Sequence, residues 1–242
     1  MTGIVPQRLY LLQLGASSVP LPSGTLEMAL GCYLVQMSDG TNILIDSGLP
    51  PHYAPPGMPP AAIETNVIAQ LGLIGLQPAD IHLLICSHFD IDHVGYNEAF
   101  PGAEVVVQRA EMEAARGGQP RFAAARPYWD HPTLRYRLVD GDTELLPGLT
   151  LLATSGHTPG HQSVLVRLPQ TGLVLLPIDA VMLQRLFTPE RPAGPGDDNA
   201  EQLRASTQKL LDLVEREQIA LVVFGHDGWQ WPTLKKAPEW YD

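Results

Sequence analysis

Apolar residues occur along this chain in short continuous runs, and polar, glycine-rich or proline-rich segments separate the runs. Runs of this kind between breaking residues predict buried β-strands. The turn sequence Ser38-Asp39-Gly40 predicts a hairpin between the second and the third of these strands. The predicted strands are Arg8–Gly15, Leu30–Val35, Asn42–Ile45, Ile81–Cys86, Ala103–Val107, Arg135–Val139, Thr150–Ala153, Gln162–Leu168, Gly172–Ile178 and Ile219–Phe224.

Helical spacing of apolar residues is found in fewer places. A stripe of leucines and a valine makes Asn199–Glu217 the clearest predicted helix. Further helices are predicted over Ala61–Leu73 and Gln108–Ala115, with a helical turn over Arg121–Ala125. Because strands precede helices in each half of the chain, the order predicts an α/β fold in which two sheets pack face to face between outer helices, an αββα sandwich.

Composition narrows the range of functions. With 242 residues, of which 45% are hydrophobic and 17% charged, the chain suits a single domain over residues 1–242. The net charge of −11 argues against nucleic acid as a partner, because phosphate recognition needs basic patches. The same charge argues against a polybasic contact with a membrane.

The N-terminal residues suggest no secretory signal. The N-terminal residues lack a basic start followed by an apolar core, and no apolar run approaches the about 18 residues of a membrane span. A cytoplasmic location without a membrane partner is therefore expected. Cys32 and Cys86 lie within apolar runs and are predicted to be buried, inert thiols. The proline-rich stretch 50–60 is predicted to be a loop, either at the mouth of an active site or an ordinary connection.

The segment Ser87-His88-Phe89-Asp90-Ile91-Asp92-His93 carries the strongest chemical signal. It places four side chains of the metal-ligand type directly after the predicted buried strand Ile81–Cys86. The carboxyl end of a strand is where α/β folds place their chemistry. A solvated loop could hold two histidines and two aspartates by chance, but the rest of the chain favours a metal site.

Three further candidates lie at or near the ends of other predicted strands: His157, Asp179 and His226. Imidazole and carboxylate donors suit zinc, iron or manganese, whereas calcium prefers oxygen donors alone. A carboxylate shared by two ions can hold them about 3.5–4 Å apart, a spacing that suits a bridging hydroxide. The complete candidate set is His88, Asp90, Asp92, His93, His157, Asp179 and His226.

This set resembles that of the metallo-β-lactamase superfamily, and most closely that of the N-acyl-homoserine lactone hydrolases. The His88 segment and the run Gly156–Ser163 are the specific parts of the resemblance, and the turn at Asp46 alone would be weak. The family has the αββα sandwich. Weaker matching segments are Leu44–Gly48, Asn97–Phe100, Val107–Arg109, Ile178–Ala180 and Phe224–Asp227.

The resemblance implies two divalent metal ions, zinc by preference. It implies a first ligand group of His88, Asp90 and His157, and a second ligand group of Asp92, His93 and His226, with Asp179 bridging the two ions. It further implies hydrolysis of a lactone or a related ester by a bridging hydroxide, with Asp92 and Asp179 as catalytic residues. His161 and Asp46 are predicted to orient ligands rather than to bind a metal.

Two positions depart from the family pattern. The family usually has histidine where this chain has Asp90, and the extra carboxylate favours harder ions such as iron or manganese at that position. Lactonases of this group often carry a tyrosine three residues after the bridging aspartate, where this chain has Met182, which cannot donate a hydrogen bond. Phe89, Ile91 and Met182 are the candidate substrate contacts, with core packing as the alternative for each.

Two other functions remain open at this stage. Asp90 is compatible with a non-haem di-iron oxidoreductase, although the chain leaves no room for a flavin domain. A binding protein with a defective first metal site is the third hypothesis. A homodimer is also an option, because the aromatic pair Trp229 and Trp231 could cover a subunit interface.

Overall fold

The computed structural model describes residues 3–21, 24–51, 53 and 62–242. In this part of the chain the first sheet has seven strands, joined in the order β4-β1-β2-β3-β5-β6-β7. The pairs from β3 to β7 are parallel, so the carboxyl ends of these strands lie at one edge. The bounds are β1 Pro6–Leu21, β2 Gly24–Met37, β3 Asn42–Ile45, β4 Ala62–Ile63, β5 Leu83–Ile85, β6 Glu104–Gln108 and β7 Arg135–Val139.

The second sheet has five strands in the described residues. Their bounds are β8 Thr143–Leu146, β9 Leu149–Ala153, β10 Gln162–Leu168, β11 Gly172–Ile178 and β12 Leu221–Phe224. The spatial order is β12-β11-β10-β9-β8, and β11 and β12 run parallel. The two strands therefore end side by side, which brings the residues that follow them close together.

Five α-helices flank the sheets in the part of the chain that the structure describes. Their bounds are α1 Val67–Leu73, α2 Ile91–Val94, α3 Arg109–Arg116, α4 Arg126–Trp129 and α5 Ala200–Glu217. The side chain of Asn199 caps α5 by accepting hydrogen bonds from the backbone N–H groups of Glu201 and Gln202. No helix in the described ranges combines the length and the apolarity that crossing a bilayer would need.

Alternation along β1 shows how the layers form. Leu9 and Leu11 face the core between the two sheets, whereas Tyr10 and Leu12 face the layer under the outer helices. Successive side chains of a strand point to opposite faces, so one strand contributes to both layers. A third cluster packs α5 against the second sheet through Leu210 and Leu213. The architecture is the predicted αββα sandwich.

Most predicted elements are confirmed, and several boundaries differ. Asn42–Ile45, Arg135–Val139, Gln162–Leu168 and Gly172–Ile178 have the predicted bounds. The first helix was predicted to begin too early, because Ala62 and Ile63 pair with β1 as a short strand before it. The predicted turn over Arg121–Ala125 was misplaced, since a 3₁₀ turn over Pro120–Phe122 precedes α4.

Trp231 corrects part of the dimer prediction. Its side chain is fully buried between the sheets against Tyr33, and its indole N–H donates to the carbonyl oxygen of Phe224. It therefore belongs to the core and not to a surface, whereas Trp229 is 77% exposed. Most of the proline-rich loop predicted over 50–60 lies outside the described residues. Cys32 and Cys86 are buried free thiols, as predicted.

Candidate metal centre

Strand ends bring the candidate ligands together. His88 follows β5, Asp179 follows β11 and His226 follows β12, while His157 lies in the connection between β9 and β10. Three groups of these side chains have ligand atoms within 4.8 Å of one another. The groups are His88 with Asp90 and His157, His88 with His93 and Asp179, and Asp92 with His93 and His226. All seven predicted ligands therefore converge on one place.

Each of the four imidazoles is held through its Nδ1 atom. That atom of His226 donates to the carbonyl oxygen of Ala29 at 2.8 Å, and that of His93 donates to Asp46 Oδ2 at 2.8 Å. In His157 it donates to Asp197 Oδ1 at 2.8 Å. His88 Nδ1 lies 2.8 Å from Ser87 Oγ, whose hydroxyl donates to Asp46. These contacts leave every Nε2 atom facing the centre, which is how histidine ligands are oriented.

At two strand ends, a residue other than glycine adopts the left-handed backbone conformation. Asp46 has φ 59° after β3, and Ile178 has φ 53° at the end of β11. Such conformations cost about 1–3 kcal/mol and persist where the surrounding structure holds them. The first turns the Asp46 carboxylate towards Ser87 and His93, and the second precedes Asp179 at the centre. The predicted orienting role of Asp46 fits this contact with His93.

The second ligand group has free donor atoms. Among the described residues, His93 Nε2 of this group and His88 Nε2 of the first group are buried without a hydrogen-bond partner. His93 Nε2 lies 3.7 Å from Asp92 Oδ2 and 3.6 Å from Asp179 Oδ1. His226 Nε2 lies 3.0 Å from the same Asp179 oxygen and 3.8 Å from Asp92 Oδ2. Two imidazole nitrogens and two carboxylates thus face one point, a donor set that fits a divalent cation such as zinc.

Charge at the centre keeps the Asp179 carboxylate ionised. Burial alone would raise its pKa, but His226 and His93 beside it hold the pKa well below its usual range. His161, also buried, does not face the centre with a free nitrogen. Its Nε2 accepts from the backbone N–H of Asp179, and burial lowers its pKa. The predicted orienting role of His161 fits these contacts.

The positively charged guanidinium of Arg121 lies among the side chains of the first ligand group. Arg121 donates to both oxygens of Asp90, with Nε 2.6 Å from Oδ1 and Nη2 2.5 Å from Oδ2. Its Nη2 also lies 2.8 Å from His157 Nε2. Burial lowers the pKa of His157, but Asp197 and Asp90 raise it to about 9. The contact nevertheless requires a neutral ring, because a guanidinium has donors only and Nε2 must accept.

Sequence reasoning missed three residues that support the centre. Arg121 was predicted only as part of a helical turn, and Asp197 was not singled out. Glu111 in α3 is fully buried, and its carboxylate accepts from the backbone N–H groups of Phe89 at 2.9 Å and of Gly160 at 2.8 Å. It thereby joins the two loops that carry His88 and His157, two of the candidate ligands. A glutamate five residues before an arginine gives no local signal for such a contact.

The predicted substrate contacts lie in different surroundings. Phe89 is fully buried and stacks on Trp129 with ring centroids 5.3 Å apart. Phe89 therefore packs in the core, and the prediction that it contacts substrate is corrected. Ile91 and Met182 are partly exposed beside the centre. The backbone carbonyl of Met182 accepts from the N–H of His226 at 3.0 Å.

A cavity of about 650 Å³ is lined by residues that directly follow Met182 and His226 in the sequence. Leu183 follows Met182, Asp227 follows His226, and both line the cavity. Apolar lining comes also from Leu26 and the exposed Trp229. None of the seven candidate ligands is among the described residues that line this cavity.

Comparisons with known proteins show what this chain resembles. Residues 32–226 match the family model of the metallo-beta-lactamase superfamily. An N-acyl homoserine lactonase of Bacillus cereus is 34% identical over 236 residues, which are 93% of this chain and 91% of the relative. The N-acyl homoserine lactonase AttM of Azorhizobium caulinodans is 38% identical over 189 residues, which are 74% of this chain and 70% of that protein.

A solved structure extends the likeness to nearly the whole fold. An N-acyl homoserine lactone hydrolase with the product N-hexanoyl-L-homoserine bound at its catalytic metal center superposes with a TM-score of 0.86 and 30% identity. The match covers 98% of this chain and 100% of the other. The chain therefore belongs to the metallo-beta-lactamase superfamily and, within it, to the family of the N-acyl homoserine lactonases.

Proposed function

We propose that this protein is a metal-dependent lactonase that opens the ring of N-acyl homoserine lactones. The observation that carries the proposal is the convergence of four anchored imidazoles on the Asp179 carboxylate. The relatives that share most of this chain's length are named for the same reaction. Hydrolysis joins a water oxygen to the carbonyl carbon, breaks the ring C–O bond and leaves the open N-acyl homoserine.

Asp92, His93 and His226 would hold a divalent cation together with Asp179, and zinc suits these donors. A bound cation of this kind lowers the pKa of water to about 7 and polarises a carbonyl as a Lewis acid. The ligands of the first group would hold a second cation if Asp90 and His157 were released from Arg121. Binding of iron or manganese at Asp90 would also require that Arg121 release Asp90.

The protein's own groups would position the substrate and move its protons. The side chain of Asp92 is 28% exposed, whereas that of Asp179 is 6% exposed. We infer that Asp92 exchanges protons with solvent, because it is the carboxylate of this group that water reaches most easily. Ile91 and Met182, which are partly exposed beside the centre, would contact the substrate.

The oxidoreductase alternative loses its supporting feature. It depended on Asp90 as an iron ligand, and both oxygens of Asp90 accept hydrogen bonds from Arg121. A binding protein without catalysis would retain a lactone unchanged. The homodimer stays a proposal that depends on the exposed Trp229 alone.

The test is ring opening of a panel of N-acyl homoserine lactones by the metal-loaded protein, with His93→Ala and Asp179→Asn as variants. We expect losses greater than the roughly 10- to 100-fold that removing an outer partner of a metal ligand costs. His131→Ala removes an imidazole outside the centre and should keep activity. Full activity after exhaustive removal of metal by a chelator would overturn the proposal.

A further inference from the structure

Arg121 is fixed inside the candidate metal centre. It belongs to the 3₁₀ turn Pro120–Phe122, and its side chain is 18% exposed. Two of its nitrogens form a fork on the Asp90 carboxylate. A fork of this kind has defined geometry as well as charge, and arginine is the residue that forms it. Asp90 therefore already has a cationic partner.

Every N–H group of the guanidinium has an acceptor. Nε donates to Asp90 Oδ1, and Nη2 donates to Asp90 Oδ2 and His157 Nε2. Nη1 donates to the carbonyl oxygen of Gly196 at 2.5 Å and to Asp198 Oδ1 at 3.1 Å. A guanidinium has five such donors. None remains for a substrate, so Arg121 acts through position and charge and is a positioning residue.

His157 shows why a cation and Arg121 exclude each other. Its Nδ1 atom donates to Asp197, so Nε2 has one lone pair in the ring plane. Arg121 uses that lone pair at 2.8 Å. A zinc ion would need the same lone pair at about 2.0–2.1 Å. Among the described residues of the first ligand group only His88 Nε2 is without a partner, so the group as it stands offers one donor and does not fit a metal ion, whereas the second group does.

The balance of charge leads to the same result. Position 90 of this chain holds an anionic aspartate. Arg121 supplies the compensating positive charge within hydrogen-bond distance. Burial would lower the pKa of its guanidinium, but Asp90 and Asp198 raise it above its ordinary value. The pair is thus neutral without a metal.

We propose that Arg121 closes the first cation position, so that each folded chain binds one divalent cation, at the second ligand group with Asp179. This inference rests on the proposed metal centre but not on the identity of the substrate. It assigns to Arg121 the place that a second cation would otherwise take between Asp90 and His157.

The experiment measures zinc per chain in the folded protein, by native mass spectrometry and by elemental analysis after dialysis against buffered zinc. We expect one zinc per wild-type chain and two in Arg121→Ala, because the substitution frees Asp90 and the His157 lone pair. Arg109→Ala is the matched control, since Arg109 makes the same fork on Asp140 at the surface. It should bind one zinc.

Two results would overturn the inference. Two zinc ions in the wild-type chain would do so, and that measurement does not depend on how the variant folds. One zinc in a folded Arg121→Ala protein would also do so, because Arg121 would then not be what closes the position. Two zinc ions in a wild-type chain that has full lactonase activity would overturn this inference but leave the proposed function intact. A change from one to two without lactone hydrolysis would instead refute only the substrate assignment.

Discussion

The two ligand groups contain the same kinds of side chain and differ in what else lies beside them. In the second group, the described neighbours of His93 Nε2 and His226 Nε2 are carboxylates. In the first group, a guanidinium lies between Asp90 and His157. The comparison shows that spacing along the sequence selects candidate ligands, whereas the availability of their lone pairs decides whether a metal can bind.

The sharpest way to break this comparison is to remove one imidazole from each group. His226→Ala should lose more than about 100-fold in zinc affinity, beyond the range for outer partners, because His226 belongs to the group with free donors. His157→Ala should keep its zinc within about threefold, because Arg121 already uses the Nε2 lone pair of His157. Competition with a fluorescent chelator measures both affinities. Equal losses in the two variants would mean that both groups bind metal.

A smaller effect is expected from the carboxylates that hold the imidazoles. Asp46→Asn should weaken zinc binding about 10- to 100-fold, since Asp46 orients His93. Asp197→Asn is the matched variant in the other group, where it removes the charge of the partner of His157. It should leave zinc affinity nearly unchanged. The same chelator competition distinguishes them, and a comparable loss in Asp197→Asn would contradict the prediction.

The smallest effect concerns stability at the contact that joins the loops of both groups. Glu111→Gln replaces one accepting oxygen by an amide that cannot accept from a backbone N–H, which should lower the free energy of unfolding by about 1–3 kcal/mol. The exposed Glu113 in the same helix provides the control, because Glu113→Gln should change it by less than about 0.5 kcal/mol. Urea unfolding of both variants measures these values.

The difference in stability between the wild-type protein and Glu111→Gln should depend on pH. Burial raises the pKa of Glu111 from 4.5 to about 7. Folding therefore favours the protonated form, and this contribution to stability is present below pH 4.5 and lost as the pH rises through about 7. The deficit of Glu111→Gln relative to wild type should shrink between pH 5 and pH 8. A deficit that grows over this range would show that the pKa of Glu111 is lowered instead.

The fold was largely predictable because it depends on local patterns. Buried strands such as Gln162–Leu168 appear as apolar runs, and the resemblance to a family of αββα sandwiches is confirmed by the comparisons. The strand Thr143–Leu146 was missed because it is short, and its charged Glu144 interrupts the apolar run.

The convergence of the candidate ligands was predictable, but the residues that contact them were not. The seven candidate residues converge, since each lies near the end of a strand or in a loop beside one. Arg121 could not be found in this way, because it meets Asp90 from 31 residues away along the chain. The contact of Asp197 with His157 spans 40 residues. Such pairs depend on tertiary packing, and neither leaves a local pattern in the sequence.

The fork between Arg121 and Asp90 constrains the evolutionary route to a two-metal enzyme. Replacing Asp90 by histidine first would strand the guanidinium, leaving Asp198 at 3.1 Å as its remaining anionic contact. Replacing Arg121 first leaves a carboxylate that an incoming metal ion can neutralise. Since an unbalanced charge in a poorly hydrated place is costly, the second order of substitutions is the accessible one. Ancestors and descendants of this chain should therefore include proteins with the aspartate but without the arginine, and rarely the reverse.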